Sequence, residues 1–108
     1  MTRKRVVPRE EAERDINEAI AHYRTEGGAP TALGFIDALE AAFDHLGAHP
    51  ATGSPRYASE LDLPGLRHWP IRNFPYLIFY VELEGHLDVW RMLHSQRDIP
   101  AWLQPEAF

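Results

Sequence analysis

The chain has 108 residues, a formal net charge of −5 at pH 7, 44% hydrophobic residues and no cysteine. That length suits one modest core, so residues 1–108 are expected to form a single domain. Without thiols there is neither a disulfide frame nor a thiolate metal site, and a reducing cytoplasm is the natural setting.

No apolar run approaches the ~20 residues of a membrane-spanning helix, and Met1–Arg5 leads into no apolar signal segment. A soluble protein without membrane contact is expected. Residues 8–47 carry three arginines against nine acids, whereas residues 65–97 carry four arginines and three histidines against three acids. An acidic half is joined to a mildly basic one. A nucleic-acid surface is normally far more basic, so no direct sequence-specific nucleic-acid binding by the chain alone is expected.

Arg3–Val7 fits a short first strand. Pro8 suits a helix entry, where its missing N–H costs nothing, and Glu10, Glu11 and Glu13 suit the positive end of the helix dipole. Ala12, Ile16, Ala19, Ile20 and Tyr23 recur at three- and four-residue steps, which predicts a helix over Arg9–Thr25. Gly27-Gly28 stops it. A second helix starts at Ala29-Pro30-Thr31, with Thr31 as N-cap, and its stripe is Phe35, Ile36, Leu39, Ala42, Phe43 and Leu46. The short break makes the pair an antiparallel hairpin that covers one side of a sheet. His49–Pro55 is a loop by its turn residues, and Arg56–Leu63, without periodicity, reads as connection.

The centre of the chain is Leu66–Asp98. Strands are predicted at Leu66–Arg72, Tyr76–Glu82 and His86–His94, separated by Asn73-Phe74-Pro75 and by Leu83-Glu84-Gly85, with Gly85 supplying positive φ. Tyr76–Val81 does not alternate apolar with polar: Leu77, Phe79 and Val81 point one way, Tyr76, Ile78 and Tyr80 the other. Simple alternation groups Leu87, Val89 and Leu93 with Arg91, and Trp90 and Met92 with Asp88 and His94. Both faces want cover, and the helices supply only one layer. The second face is expected to lie under the tail (Trp102, Leu103, Phe108), another copy or a partner. Asp98 caps a final helical turn through Leu103. The fold class is therefore α+β: an N-terminal strand and a two-helix hairpin packed on a mostly antiparallel three- to four-stranded sheet.

Among candidate chemical groups, Arg91 sits in an apolar strand and needs a carboxylate such as Asp98 or Asp88, or else a target. His94, three residues on, falls on the opposite face, so the two do not act as a pair. A backbone hydrogen bond is the simplest role for His94. Trp69, Trp90, Tyr76 and Tyr80 read as core rather than a base-stacking platform. His45 and His49 have helical ligand spacing, but Gly47 interrupts the helix between them and no zinc motif surrounds them. Ser54 and Ser95 have no nucleophile elbow.

His49-Pro50 with Gly53 and Pro55, Gly65-Leu66-Arg67, Tyr76–Tyr80, and Arg91–His94 followed by Arg97-Asp98 and Pro100 form an ordered set. It resembles the ParE/RelE superfamily of type II toxin–antitoxin modules over about Val6–Leu103, closest to the ParE-like, plasmid-stabilisation branch. Pro8-Arg9-Glu10 in place of a Thr/Ser-Pro pair and the acidic net charge depart from the pattern.

The resemblance implies a growth-arresting toxin that inhibits DNA gyrase by binding and is neutralised by a cognate antitoxin, whose disordered segment folds around it. The target contacts are then Arg67, Arg72, Arg91, His94 and Arg97, and the antitoxin contacts Leu77, Phe79, Trp90, Trp102 and Leu103. Neither cofactor nor metal is implied. The alternative within the superfamily is a ribosome-dependent mRNA endoribonuclease, for which Arg67, Arg72, Arg91 and His94 are the cationic candidates. Lys4 is the only lysine, which leaves no lysine-rich patch for ribosomal RNA.

Overall fold

Val6-Val7 builds a strand, and Pro8 ends it. In the computed structural model, which describes residues 3–103, β1 spans Arg5–Pro8. Pro8 closes this strand instead of opening the helix, and the Arg9 N–H donates to the Val89 carbonyl at 2.9 Å. The first helix, α1 (Glu10–Ala48), has Glu10, Glu11 and Glu13 in its first turn, where the dipole favours them.

α1 consists of two helical arms that meet in a kink at Gly28 (φ 80°, ψ −178°), where the break between two helices was expected, and glycine tolerates that conformation. Thr31 is not an N-cap; its hydroxyl donates to the Gly27 carbonyl at 3.0 Å. A straight helix of 39 residues would be ~58 Å long, yet the greatest extent of the described chain is 39 Å. The bend at Gly28 is therefore sharp, and it brings Tyr23 against Phe35, ring centroids 5.3 Å apart. The Lys4 N–H donates to the Gly47 carbonyl at 3.0 Å, tying the far end of the second arm to the approach to β1. A Cβ on Gly47 would lie 2.7 Å from the Lys4 carbonyl oxygen, so glycine permits this approach.

After a 3-10 turn at Pro50–Thr52 comes a short helix, α2 (Arg56–Glu60), inside the segment expected to be plain connection. The strands β2 (Leu66–Pro70), β3 (Tyr76–Glu82) and β4 (His86–His94) follow, then α3 (Ile99–Trp102). β2 stops at Pro70, which leaves Arg72 outside the sheet. The sheet has the order β1-β4-β3-β2. It is mixed, because β1 runs parallel to β4 while the other pairs are antiparallel. Positive φ falls on Asn73 (70°) in the β2–β3 turn and not on Gly85.

Two cores follow from the two apolar faces. On the helix side Ile78, Tyr80, Leu87, Val89 and Met92 pack against Ala12, Ala19, Phe35, Leu39, Ala42 and Leu46. On the other side Leu66, Phe79 and Leu93 pack with Ile99 and Leu103 of the tail, and Tyr57, Leu61 and Leu63 lean on them. Simple alternation misassigned β4. Its register slips beside Phe79/Tyr80, where Arg91 pairs with Phe79 and Val89 with Tyr80. Trp90 is thus an extra residue, which sends Met92 to the helix side and Leu93 away from it. The second face is covered from within the chain, by the α2 region and α3. Phe108 lies outside the described residues.

Tyr80 is fully buried and satisfies two backbone groups of the turn: its hydroxyl donates to the Pro50 carbonyl at 2.6 Å and accepts from the Gly53 N–H at 3.1 Å. Tyr80→Phe strands both, so it should lower stability by about 1–3 kcal/mol. Chemical denaturation with an unchanged slope will show this as a lower midpoint.

His68 packs between Tyr57 and Phe79, and its buried Nδ1 has no hydrogen-bond partner. Burial first, and the nearby Arg56 charge second, hold its pKa below the ordinary histidine value. The folded state therefore keeps His68 neutral, whereas the unfolded chain takes up a proton below about pH 6.5. The stability so contributed is present above that pH and is lost as pH falls below it. Thermal unfolding at pH 7 and pH 5 should show a drop that is smaller in His68→Leu.

Candidate functional site

β1 has only four residues and pairs with His86–Val89, so β4 beyond Val89 has an open outer edge. The first arm of α1 runs past that edge and places Asp15 against it. Asp15 Oδ2 accepts the Met92 backbone N–H at 3.1 Å and Arg91 Nε at 2.7 Å; Oδ1 accepts Arg91 Nη2 at 2.8 Å. One carboxylate thus replaces the carbonyl a neighbouring strand would have offered and grips the guanidinium as a fork. The two side chains keep only 13% and 12% of their exposure. Hydrogen bonding to the Asp15 carboxylate is the main cause that holds Arg91 more firmly protonated than usual, against the opposing effect of burial.

Neither carboxylate expected for Arg91 serves it. Asp88 accepts from Arg9 at 3.1 and 2.8 Å and from the Trp90 indole at 3.1 Å. Asp98 caps α3 by accepting the Ala101 N–H at 3.4 Å.

Between α1 and this edge lies a cleft of about 570 Å³, whose lining includes Asp15, Glu18, Tyr76, Arg91, His94, Arg97 and Trp102. Arg91 and His94 come together here despite their opposite parity, because the open edge is reached from both faces. Trp102, 40% exposed, receives Arg97 at 4.2 Å and Arg91 at 5.4 Å from its ring centroid, both within cation–π range. His94 packs edge-on against Tyr76 with centroids 5.3 Å apart. Its Nδ1 accepts the Gln96 N–H at 3.2 Å, the backbone bond expected of it. Burial pushes the Tyr76 phenol above its ordinary pKa, Asp15 and Glu18 add to this, and Arg97 opposes it.

Other expected residues lie elsewhere. Arg67 donates to the carbonyls of Ala51 at 3.1 Å and Gly53 at 2.8 Å, which makes it a staple for the turn. Arg72 is exposed beyond β2 and lines a separate groove. Phe79 and Leu103, expected to meet a partner, are fully buried in the second core because the chain folds its own tail over them. Leu77 and Trp90 are half-buried there, which leaves Trp102 as the exposed member of that set. Among the described residues no group of three or more His, Cys, Asp or Glu can hold a metal; His45 stacks on Trp69 at 4.5 Å and bonds Thr52 at 3.0 Å. No helix among the described residues is long and apolar enough to cross a membrane.

Asp15 was missed, although its signal was present. It stands three residues after Ala12 and four before Ala19, on the apolar stripe of α1. An acid in that position turns toward the core and needs a buried cation.

A family model described as ParE toxin of type II toxin-antitoxin system, parDE, matches residues 6–99. Among solved structures, a chain of the chromosomal ParDE TA system from P. aeruginosa superposes with a TM-score of 0.71 at 17% identity. The match covers 86% of this chain and 97% of that one, a likeness of fold. No curated protein matches the chain.

Proposed function

This chain belongs to the ParE toxin family of type II toxin–antitoxin systems, and we propose that it acts in the cytoplasm by binding DNA gyrase until a cognate antitoxin neutralises it. The observation that carries this reading is the cleft at the open edge of β4. Arg97 stacked on the exposed Trp102 ring offers a cationic and aromatic anchor, the kind of pairing that dominates protein interfaces. Arg91 is pre-set beside it by Asp15, so little ordering is required on binding.

The presence of His94 beside Tyr76 in the same cleft favours a second reading, cleavage of messenger RNA. His94 Nε2 would take the ribose 2′-hydroxyl proton and Arg97 would face the phosphate. One feature weighs against it: the Arg91 charge is already matched by Asp15.

Induction of the toxin alone decides between them. Gyrase binding predicts a DNA-damage response and disturbed supercoiling with transcripts intact, and Arg97→Glu should abolish growth arrest while the melting temperature holds. Rapid transcript cleavage with normal supercoiling would overturn the proposal.

A further inference from the structure

The second arm of α1 (residues 29–48) faces solvent between two unlike flanks. Ala38, Ala41, Ala42 and His45, at helical steps, line the floor of a groove of about 690 Å³, and Trp69 and Arg72 stand at its wall. At ~100° per residue, Asp37, Glu40 and Asp44 fall on the other flank of Ala41, away from that wall, and all three are exposed. A ridge of alanines thus separates a cationic wall from an acidic row.

Heights along the arm match as well. Phe74 lies 4.0 Å from the place a Cβ would take on Gly34, and Trp69 stacks on His45 with centroids 4.5 Å apart. Arg72, between Trp69 and Phe74 in the chain, therefore stands level with the middle of the arm, as Asp37 and Glu40 do. Arg72, Asp37 and Glu40 make no ion pair among the described residues. Leu33, 59% exposed, lies one turn before Asp37 on the acidic flank. β2 itself is closed to strand pairing, because His68 exchanges both backbone bonds with Ser54 at 3.0 and 2.9 Å and Pro70 has no N–H. An occupant must pack by side chains, and alanines let a helix approach at the short end of the usual ~8–10 Å axial spacing.

We propose that this groove is the interface of a symmetric dimer in which the second arms of two copies lie side by side and parallel. A two-fold axis along the arms sets the acidic row of each copy against the Trp69–Arg72 wall of the other, so every contact is made twice. Ala41 meets its own symmetry mate, and Leu33 is covered by the partner's β2–β3 turn. An antiparallel pair would set acid against acid, so charge selects the parallel arrangement. The cleft beside β4 lies at the opposite edge of the sheet, and the dimer therefore presents two open clefts.

Sedimentation velocity of the purified full-length chain over a range of concentrations reads the association. Wild type should pass from monomer to dimer as concentration rises, and salt should weaken the dimer. Arg72→Glu, and separately Asp37→Arg combined with Glu40→Arg, should each raise the dimer dissociation constant by roughly tenfold or more, since like charges then meet twice. Mixing the two variants should restore dimers, because the mixed pair matches opposite charges at both contacts. These side chains are exposed, so melting temperatures taken at dilutions where every form is monomeric should agree. A wild type that stays monomeric at every concentration gives the groove to a different partner and overturns the proposal. A dimer indifferent to the charge reversals, or folded variants that fail to pair when mixed, overturn it too.

Discussion

Asp15→Ala should lower the unfolding free energy by about 3 kcal/mol, the low end for breaking a buried ion pair, and should abolish growth arrest. The variant removes three acceptor bonds at once. Arg91 Nε and Nη2 lose their fork, and the Met92 N–H is left facing an open strand edge. Arg91 then holds a charge in a site that gives it little solvent, and its simplest relief is to swing out of the cleft. Chemical denaturation measures the stability loss, and induction measures the toxicity. Asp15→Asn keeps an acceptor for Met92 without the charge, so it should fall between wild type and Asp15→Ala. The double exchange Asp15→Arg with Arg91→Asp separates fold from function. It should recover part of the stability while the cleft stays inactive if Arg91 is a target contact as proposed, because a carboxylate then stands in place of the cation. A stability loss below about 0.5 kcal/mol in Asp15→Ala, typical of an exposed pair, would contradict the arrangement.

The same pair shows what was legible before the fold was known. Arg91 in an apolar strand announced a buried cation, but its partner is 76 positions away, and periodicity gives no information on contacts between distant segments. β3 and β4 were readable to their ends because β-branched and aromatic runs met clear turn residues. The bulge at Trp90 was not readable, since one unpaired residue leaves composition untouched yet exchanges the faces of everything after it. The kink at Gly28 was placed correctly by its glycines. Helical winding resumes after the kink, and the Thr31 hydroxyl bonds back across it to the Gly27 carbonyl. The tail was among the covers expected for the second face and Leu103 serves there, whereas the part played by the α2 region was missed: Tyr57 and Leu61 have helical spacing, but two apolar positions are too few to mark a stripe.

Leu103→Ala should cost about 2–5 kcal/mol, whereas its neighbour Trp102→Ala should cost well under half of that and still abolish toxicity. The two residues share one turn but face different surroundings. Leu103 is fully buried with Ile99, Leu66, Phe79 and Leu93. Truncating it opens a cavity in a core roofed by only a few residues of α3. Trp102 stands 40% exposed in the cleft with Arg97 and Arg91 against its ring, so its loss forfeits cation–π contacts of about 0.5–1 kcal/mol each and leaves the core intact. Denaturation midpoints should therefore separate the variants widely while induction in cells scores both as harmless: Leu103→Ala because the fold is weakened, Trp102→Ala because the anchor is missing. Cooling the culture should restore toxicity to Leu103→Ala alone, since a destabilised fold recovers as temperature drops toward its stability maximum and a missing side chain does not. Equal recovery of both, or of neither, would mean that α3 is not divided between a buried and a binding face.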